Sequence, residues 1–282
     1  MKKIILLLGM LLLTNSVSMA ACEYNCVEPY NMNSGFRTFL SGVSGLNFMT
    51  EKAAQRLLKR EISKVAKNDF LEVKLDSYSS KDLKNGIFKS LSVSGRNVNI
   101  NDIYMSDLYM STLCDFNYIK QADGDVVFME DFPMAFKFVM KDSDINKTIK
   151  SNRYQKIIND LNNIANSYGV GLKISSSKIS IKANKLYYVI GLSIPFVRKE
   201  QRLIMNSDLC VKNGKIDFVN TKLISDSFVL DMKKVDFILN YLNPLDFSVN
   251  ILDNKDAKVS VENVDIRNNS IVADGVVVIP KD

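Results

Sequence analysis

The sequence predicts an α+β protein in which a long, curved antiparallel β-meander wraps around one or two amphipathic helices. Three observations carry this expectation. Apolar residues recur at period two over much of the chain, as in Leu91 and Val93, Val98 and Ile100, and Leu108, Met110, Thr112, Cys114, Phe116 and Tyr118. Turn residues separate the runs, at Gly86, Gly95, Asn101-Asp102 and Asn213-Gly214. Two longer stretches instead carry apolar residues three and four apart, the spacing of one helix face.

Lys2 and Lys3, the apolar run Ile4 to Leu13 and the polar stretch ending Ser18-Met19-Ala20 read as an export signal, predicted to be removed after Ala20. The run is too short to span a bilayer. Met19-Ala20-Ala21-Cys22 also forms an imperfect lipobox, with Met where Leu is usual, so anchoring through an acylated Cys22 stays open as an alternative. The expected organisation is a signal peptide over 1–20, a linker over 21–49 and a single elongated domain over 50–282. The expected location is the periplasm or cell envelope.

In the linker, Gly and Ser punctuate the chain before Thr50, which is predicted to cap the first helix. Ala54, Leu57, Leu58, Ile62 and Val65 form its apolar stripe, opposite Lys52, Arg56, Lys59, Arg60 and Lys64. Strands follow over Leu71 to Leu75, through the meander, and over Met134 to Met140, where Met134, Phe136, Phe138 and Met140 share a bulky apolar face behind Pro133. Ser143 is placed to cap a helical turn. Ile157, Ile158, Leu161, Ile164, Ala165 and Tyr168 align along a second amphipathic helix, Tyr154 to Tyr168, stopped by Gly169. Lys178 to Ile181 alternates and Leu186 to Phe196 is a nearly continuous apolar strand. Arg202 to Val211 and Lys215 to Leu223 flank Asn213-Gly214, a strong two-residue hairpin signal. Val235, Ile238, Leu239 and Leu242 form a short helix stripe ending before Pro244, and the tail from Phe247 reads as strand.

Removing residues 1–20 takes away two lysines and no acid, leaving 35 basic and 31 acidic residues, a charge of +4. The basic residues are scattered, which argues against a nucleic-acid partner. Cys22, Cys26, Cys114 and Cys210 are disulfide candidates in an exported chain. The expected pairs are Cys22 with Cys26 and Cys114 with Cys210, against the alternative that Cys114 and Cys210 are buried thiols.

The chain has no histidine, so Ser-His-Asp and Cys-His catalysis, histidine general bases and histidine-ligated metals are excluded within it. Neither a GxGxxG nor a GxxxxGK[ST] pattern is present. Asp123, Asp125, Glu130 and Asp131 fall beside Gly124 and Pro133, as solvated turn residues do. A Ser with a Lys base needs no histidine, but no spacing singles one out. The chain is therefore expected to be neither an enzyme nor a cofactor binder, and no metal site is assigned.

Asn85-Gly86-Ile87-Phe88-Lys89-Ser90-Leu91-Ser92-Val93-Ser94-Gly95, then a short apolar strand, Asn101-Asp102-Ile103 and another strand, resembles the LmeA-like phospholipid-binding family of bacterial envelope proteins. Lys258 to Ile266 followed by Ser270 to Ile279 is similar to the family's closing strand pair. The resemblance implies a fold related to the tubular lipid-binding superfamily, a helix-wrapping sheet that takes up phospholipid. A phospholipid or other acyl lipid is expected to bind non-covalently between the first helix and the sheet, partly from that resemblance and partly because the strands carry more apolar surface than one short helix stripe covers. The candidate residues lie on those apolar faces and are not carried over from the family: Leu57, Leu58, Ile62, Leu108, Met110, Phe116, Phe136, Phe138 and Met140. A membrane surface is a second candidate partner. The alternative is a non-enzymatic structural or interaction module of the envelope with a fully packed core.

Overall fold

Asn101 and Asp102, both at positive φ, turn the chain tightly enough that Ile100 pairs directly with Ile103. The computed structural model describes residues 26–27, 46–122, 125–167, 173–224, 241–253 and 257–282. The signal segment, Cys22, the Gly169 stop and the stripe residues Val235, Ile238 and Leu239 lie outside them. The described chain is an α+β protein dominated by antiparallel sheet, and it divides its strands among three sheets rather than one continuous meander.

The larger sheet holds β1 (Ala66–Lys67), β2 (Phe70–Asp76), β4 (Ser90–Ile100), β5 (Ile103–Thr112), β8 (Phe132–Lys141), β13 (Lys258–Arg267) and β14 (Ser270–Ile279). Its order is β1-β4-β5-β8-β14-β13, with β2 also paired to β4. The smaller sheet is β12-β11-β10-β9, built from β9 (Lys173–Lys182), β10 (Lys185–Ser193), β11 (Gln201–Lys212) and β12 (Lys215–Leu223). A short third sheet joins β3 (Ile87–Phe88), β6 (Asn117–Ala122) and β7 (Asp125–Phe128).

Five helices are described: α1 (Leu46–Val65), α2 (Ser80–Lys84), α3 (Asp142–Ile149), α4 (Asn152–Ser167) and α5 (Pro244–Leu252). The short α3 is the wedge between the sheets. It packs against β5 and β8 on one side and β9 on the other, with Ile145 and Ile149 fully buried. Asp144, at its third position, takes the backbone N–H of Lys141 at 3.0 Å, so the helix starts at Asp142 and is not capped by Ser143. One apolar core runs through both sheets.

The hairpin expected at Asn213-Gly214 forms, with φ of 53° and 73° and Lys212 opposite Lys215. Its tip docks on the larger sheet, where Gly214 O accepts Val261 N at 2.9 Å. A Cβ on Gly214 would sit 2.8 Å from Ser260 Oγ, so glycine serves both the turn and the docking.

Several expectations are corrected. Gly95 is not a turn but lies mid-strand in β4; the kink falls at Asn97, whose φ of 50° brings Val98 back to the core side. The period-two run from Leu108 does not continue to Tyr118, because β5 ends at Thr112 and β6 begins at Asn117. The strand expected over Leu186 to Phe196 ends at Ser193, just before Pro195, which has no N–H for the ladder. Helix α1 begins at Leu46, four residues before the expected cap. Phe247 lies in a helix, not a strand: Asn243 caps α5, its Oδ1 accepting Leu245 N at 3.0 Å, and Pro244 takes the first helical position.

The disulfide joins Cys26 to Cys114, and Cys210 is a free thiol. This overturns both expected pairs. Cys114 sits in the bend after β5 rather than in a strand, while Cys210 is held in β11 opposite Asp217.

Candidate functional site

The apolar face of the larger sheet is set by register. Gly95, Leu108, Phe138 and Ala273 face one another in one cross-strand row, and Val93, Met110, Phe136 and Gly275 in the next. Pleating sends these residues to one side, and their sequence neighbours to the other. Phe136 and Phe138 stack with ring centroids 5.9 Å apart and planes 4° from parallel. The glycines in these rows are not hollows, because a Cβ on Gly95 would meet Val98 Cγ2 at 2.7 Å and one on Gly275 would meet Ser260 O at 2.1 Å.

Two helices cover this face in part. Helix α1 lies against β2, where Glu51 Oε1 accepts Ser77 N at 2.9 Å and Gln55 Nε2 donates to Leu75 O at 3.2 Å. Helix α3 covers the Ile103 end of β5: Tyr104 N donates to Thr148 Oγ1 at 3.1 Å and Ser106 Oγ to the buried Asp144 carboxylate at 2.5 Å. Beyond α3 on the same strand, Leu108 and Met110 are only half-buried, although β5 is an interior strand. Their neighbours Val93, Phe136 and Phe138 are each 7% exposed. Partial exposure thus reaches the middle of the apolar face, where burial in a sheet is ordinarily most complete.

Of the residues expected to form a lipid site, Leu108, Met110, Phe136, Phe138 and Met140 share this face or its buried extension. Leu58 and Ile62 are half-buried against the same core. Two residues do not join them. Leu57 is 63% exposed, since at 100° per residue it stands about 120° from the row through Glu51, Leu58 and Ile62. Phe116 packs instead with Ile87, Tyr78 and Tyr118 in a separate small cluster.

The opposite face of the same sheet holds a groove of about 270 Å³ that the sequence did not reveal. Phe70, Glu72, Ser94, Arg96, Asp107, Tyr109 and Lys137 line it. Phe70 and Tyr109 stay about half exposed, and Lys59 and Arg96 stand 6.0 and 5.6 Å from the Phe70 ring centroid. Only the strand register, which aligns β2, β4, β5 and β8, could have brought these residues together.

In the second half of the core, the Tyr154 and Tyr188 hydroxyls lie 3.1 Å apart and both donate to the Leu242 carbonyl, Tyr188 at 3.0 Å. Burial pushes Tyr188 up to about 12 and raises Tyr154 well above its ordinary value. Each hydroxyl has one proton, and both protons serve the single buried carbonyl of Leu242. Among the described residues no group of three or more Cys, Asp or Glu side chains could hold a metal ion, and no helix is long and apolar enough to cross a membrane.

No family model matches the chain, and no solved structure matches it. A stretch of 82 residues, 28% of the chain, is 32% identical to part of lysine--tRNA ligase from Wigglesworthia glossinidia brevipalpis. The chain covers 16% of that protein's length, and a match so short shows no family.

Proposed function

We propose that this chain is a non-enzymatic protein of the bacterial envelope that holds an acyl lipid against the half-covered middle of its larger sheet. The observation that carries this reading is the partial exposure of Leu108 and Met110 on an interior strand, between buried neighbours. Apolar side chains left open at the centre of a sheet lose burial worth about 25 cal/mol per Å², a loss that a bound acyl chain would recover. No charged side chain projects from the two rows that frame the opening. Export and an oxidising compartment are part of the proposal, and the Cys26–Cys114 disulfide supports them. So does the sequence resemblance to the LmeA-like family, which implies a sheet curved around helices as in tubular lipid-binding folds.

A second reading, an interaction module with a packed core, draws on a different observation. Phe136, Phe138 and Met140 are at most 7% exposed, so most of the face expected to line a groove is already filled. Lipid extraction from the purified protein separates the two. The lipid reading requires stoichiometric acyl lipid, whereas the interaction module requires none.

A further inference from the structure

We infer that the β10–β11 loop is a membrane-docking tip that seats on an anionic lipid surface. Phe196 is completely exposed and sits at φ 66°, in the left-handed region that a bulky L-residue rarely adopts. Such a residue carries both an unfavourable backbone and an unburied aromatic ring, a combination that persists where the ring has a partner to meet. The loop is nevertheless built. Val197 N donates to Ile194 O at 3.1 Å, and Glu200 anchors its far side to β9 by accepting from Ser175 Oγ at 2.7 Å.

The surroundings match a lipid surface in both apolarity and charge. Val197 is 44% exposed beside Phe196, and Ile224, 48% exposed, lies at the same end of the smaller sheet, where its N–H donates to Ile204 O at 2.8 Å. Arg198 and Lys199 follow in the loop, and Lys173 pairs with Ser193 at its base. Glu200 is occupied by Ser175, Ser176 and Arg202. Among the described residues the side chains of Lys173, Arg198 and Lys199 have no ion-pair partner, which leaves three cations around an apolar wedge. Apolar side chains insert at the headgroup boundary while nearby cations meet anionic headgroups.

The inference rests on the lipid reading for the class of its partner, but not on occupancy of the sheet. The test is co-sedimentation of the full mature protein with vesicles of equal parts phosphatidylcholine and phosphatidylglycerol, beside vesicles of phosphatidylcholine alone. Wild type should bind the mixed vesicles more tightly, and Arg198→Gln with Lys199→Gln should remove most of that preference, roughly fivefold per charge. Phe196→Asn should weaken binding about tenfold or more. Asparagine tolerates the left-handed backbone, so the same variant should melt at or above the wild-type temperature, which separates docking from folding. Lipid carried in the core, read by native mass spectrometry, should be unchanged in Phe196→Asn; its absence from wild type would remove the core reading and leave docking standing. Equal sedimentation of wild type and Phe196→Asn, or no sedimentation of wild type with either vesicle, would overturn the inference.

Discussion

Asn184 and Asn269 clasp each other across the two main sheets: Asn184 N donates to Asn269 Oδ1 at 3.1 Å, and Asn269 N donates to Asn184 Oδ1 at 3.0 Å. Each is the second residue of a two-residue hairpin turn with both φ values between 50° and 55°, Ala183-Asn184 joining β9 to β10 and Asn268-Asn269 joining β13 to β14. Asparagine meets two needs here, since it tolerates the left-handed backbone and its side chain reaches the neighbouring turn. Asn184→Ala should lose both and destabilise by about 2 kcal/mol, whereas Asn184→Gly should lose only the hydrogen bond that Asn184 Oδ1 accepts, about 1 kcal/mol. Asn184→Gly protein as stable as wild type in urea unfolding would show that the clasp contributes nothing.

The tyrosine pair makes the protein sensitive to alkali. In the folded protein burial holds Tyr188 at about 12, and Tyr154 is raised as well, whereas an unfolded chain releases both protons near pH 10. The stabilisation is therefore complete below pH 10 and is lost as pH rises towards 12, because the unfolded state then binds fewer protons. Tyr188→Phe should flatten that alkaline loss in pH-dependent unfolding. It should also cost about 1–3 kcal/mol at neutral pH by removing one donor to Leu242 O.

The Cys26–Cys114 bond closes a separation of 88 residues and ties the chain ahead of α1 to the bend after β5. Cys114→Ser should destabilise by roughly 2–5 kcal/mol. In denatured, unreduced protein an alkylating probe should label Cys210 and leave Cys26 and Cys114 untouched, as peptide mapping would show. Labelling of Cys114 would contradict the pairing.

What was legible in the sequence was local. Asn213-Gly214 and Asn101-Asp102 announced their hairpins because few residues adopt the left-handed backbone such turns need. Period-two alternation located β2, β5 and β8 for the same kind of reason, since pleating is a property of each strand alone. Partners distant in sequence were not legible. Nothing near Cys114 says that Cys26 is its mate, or that Phe116 leaves the row of Met110 once β5 stops at Thr112. The helix α5 was misread because Phe247, Val249 and Ile251 alternate like a strand, although Asn243-Pro244 is a cap followed by a favoured first residue. The half-covered Leu108 and Met110 depend on where α1 and α3 settle, and helix placement on a sheet follows from the assembled core.

Met110 offers the sharpest probe of lipid uptake. It lies in the open middle of the face, so Met110→Asp can keep the fold where the same change at the buried Phe138 would not. Native mass spectrometry of the protein purified from membranes is the most direct measurement. The lipid reading predicts wild-type protein carrying one acyl lipid, released on collisional activation. That reading assumes some ten buried methylenes, each contributing about 0.8 kcal/mol against the ordering cost, to hold the chain through purification. It also predicts bare Met110→Asp protein with wild-type circular dichroism. Bare wild-type protein under the same conditions would contradict lipid binding and favour the packed interaction module.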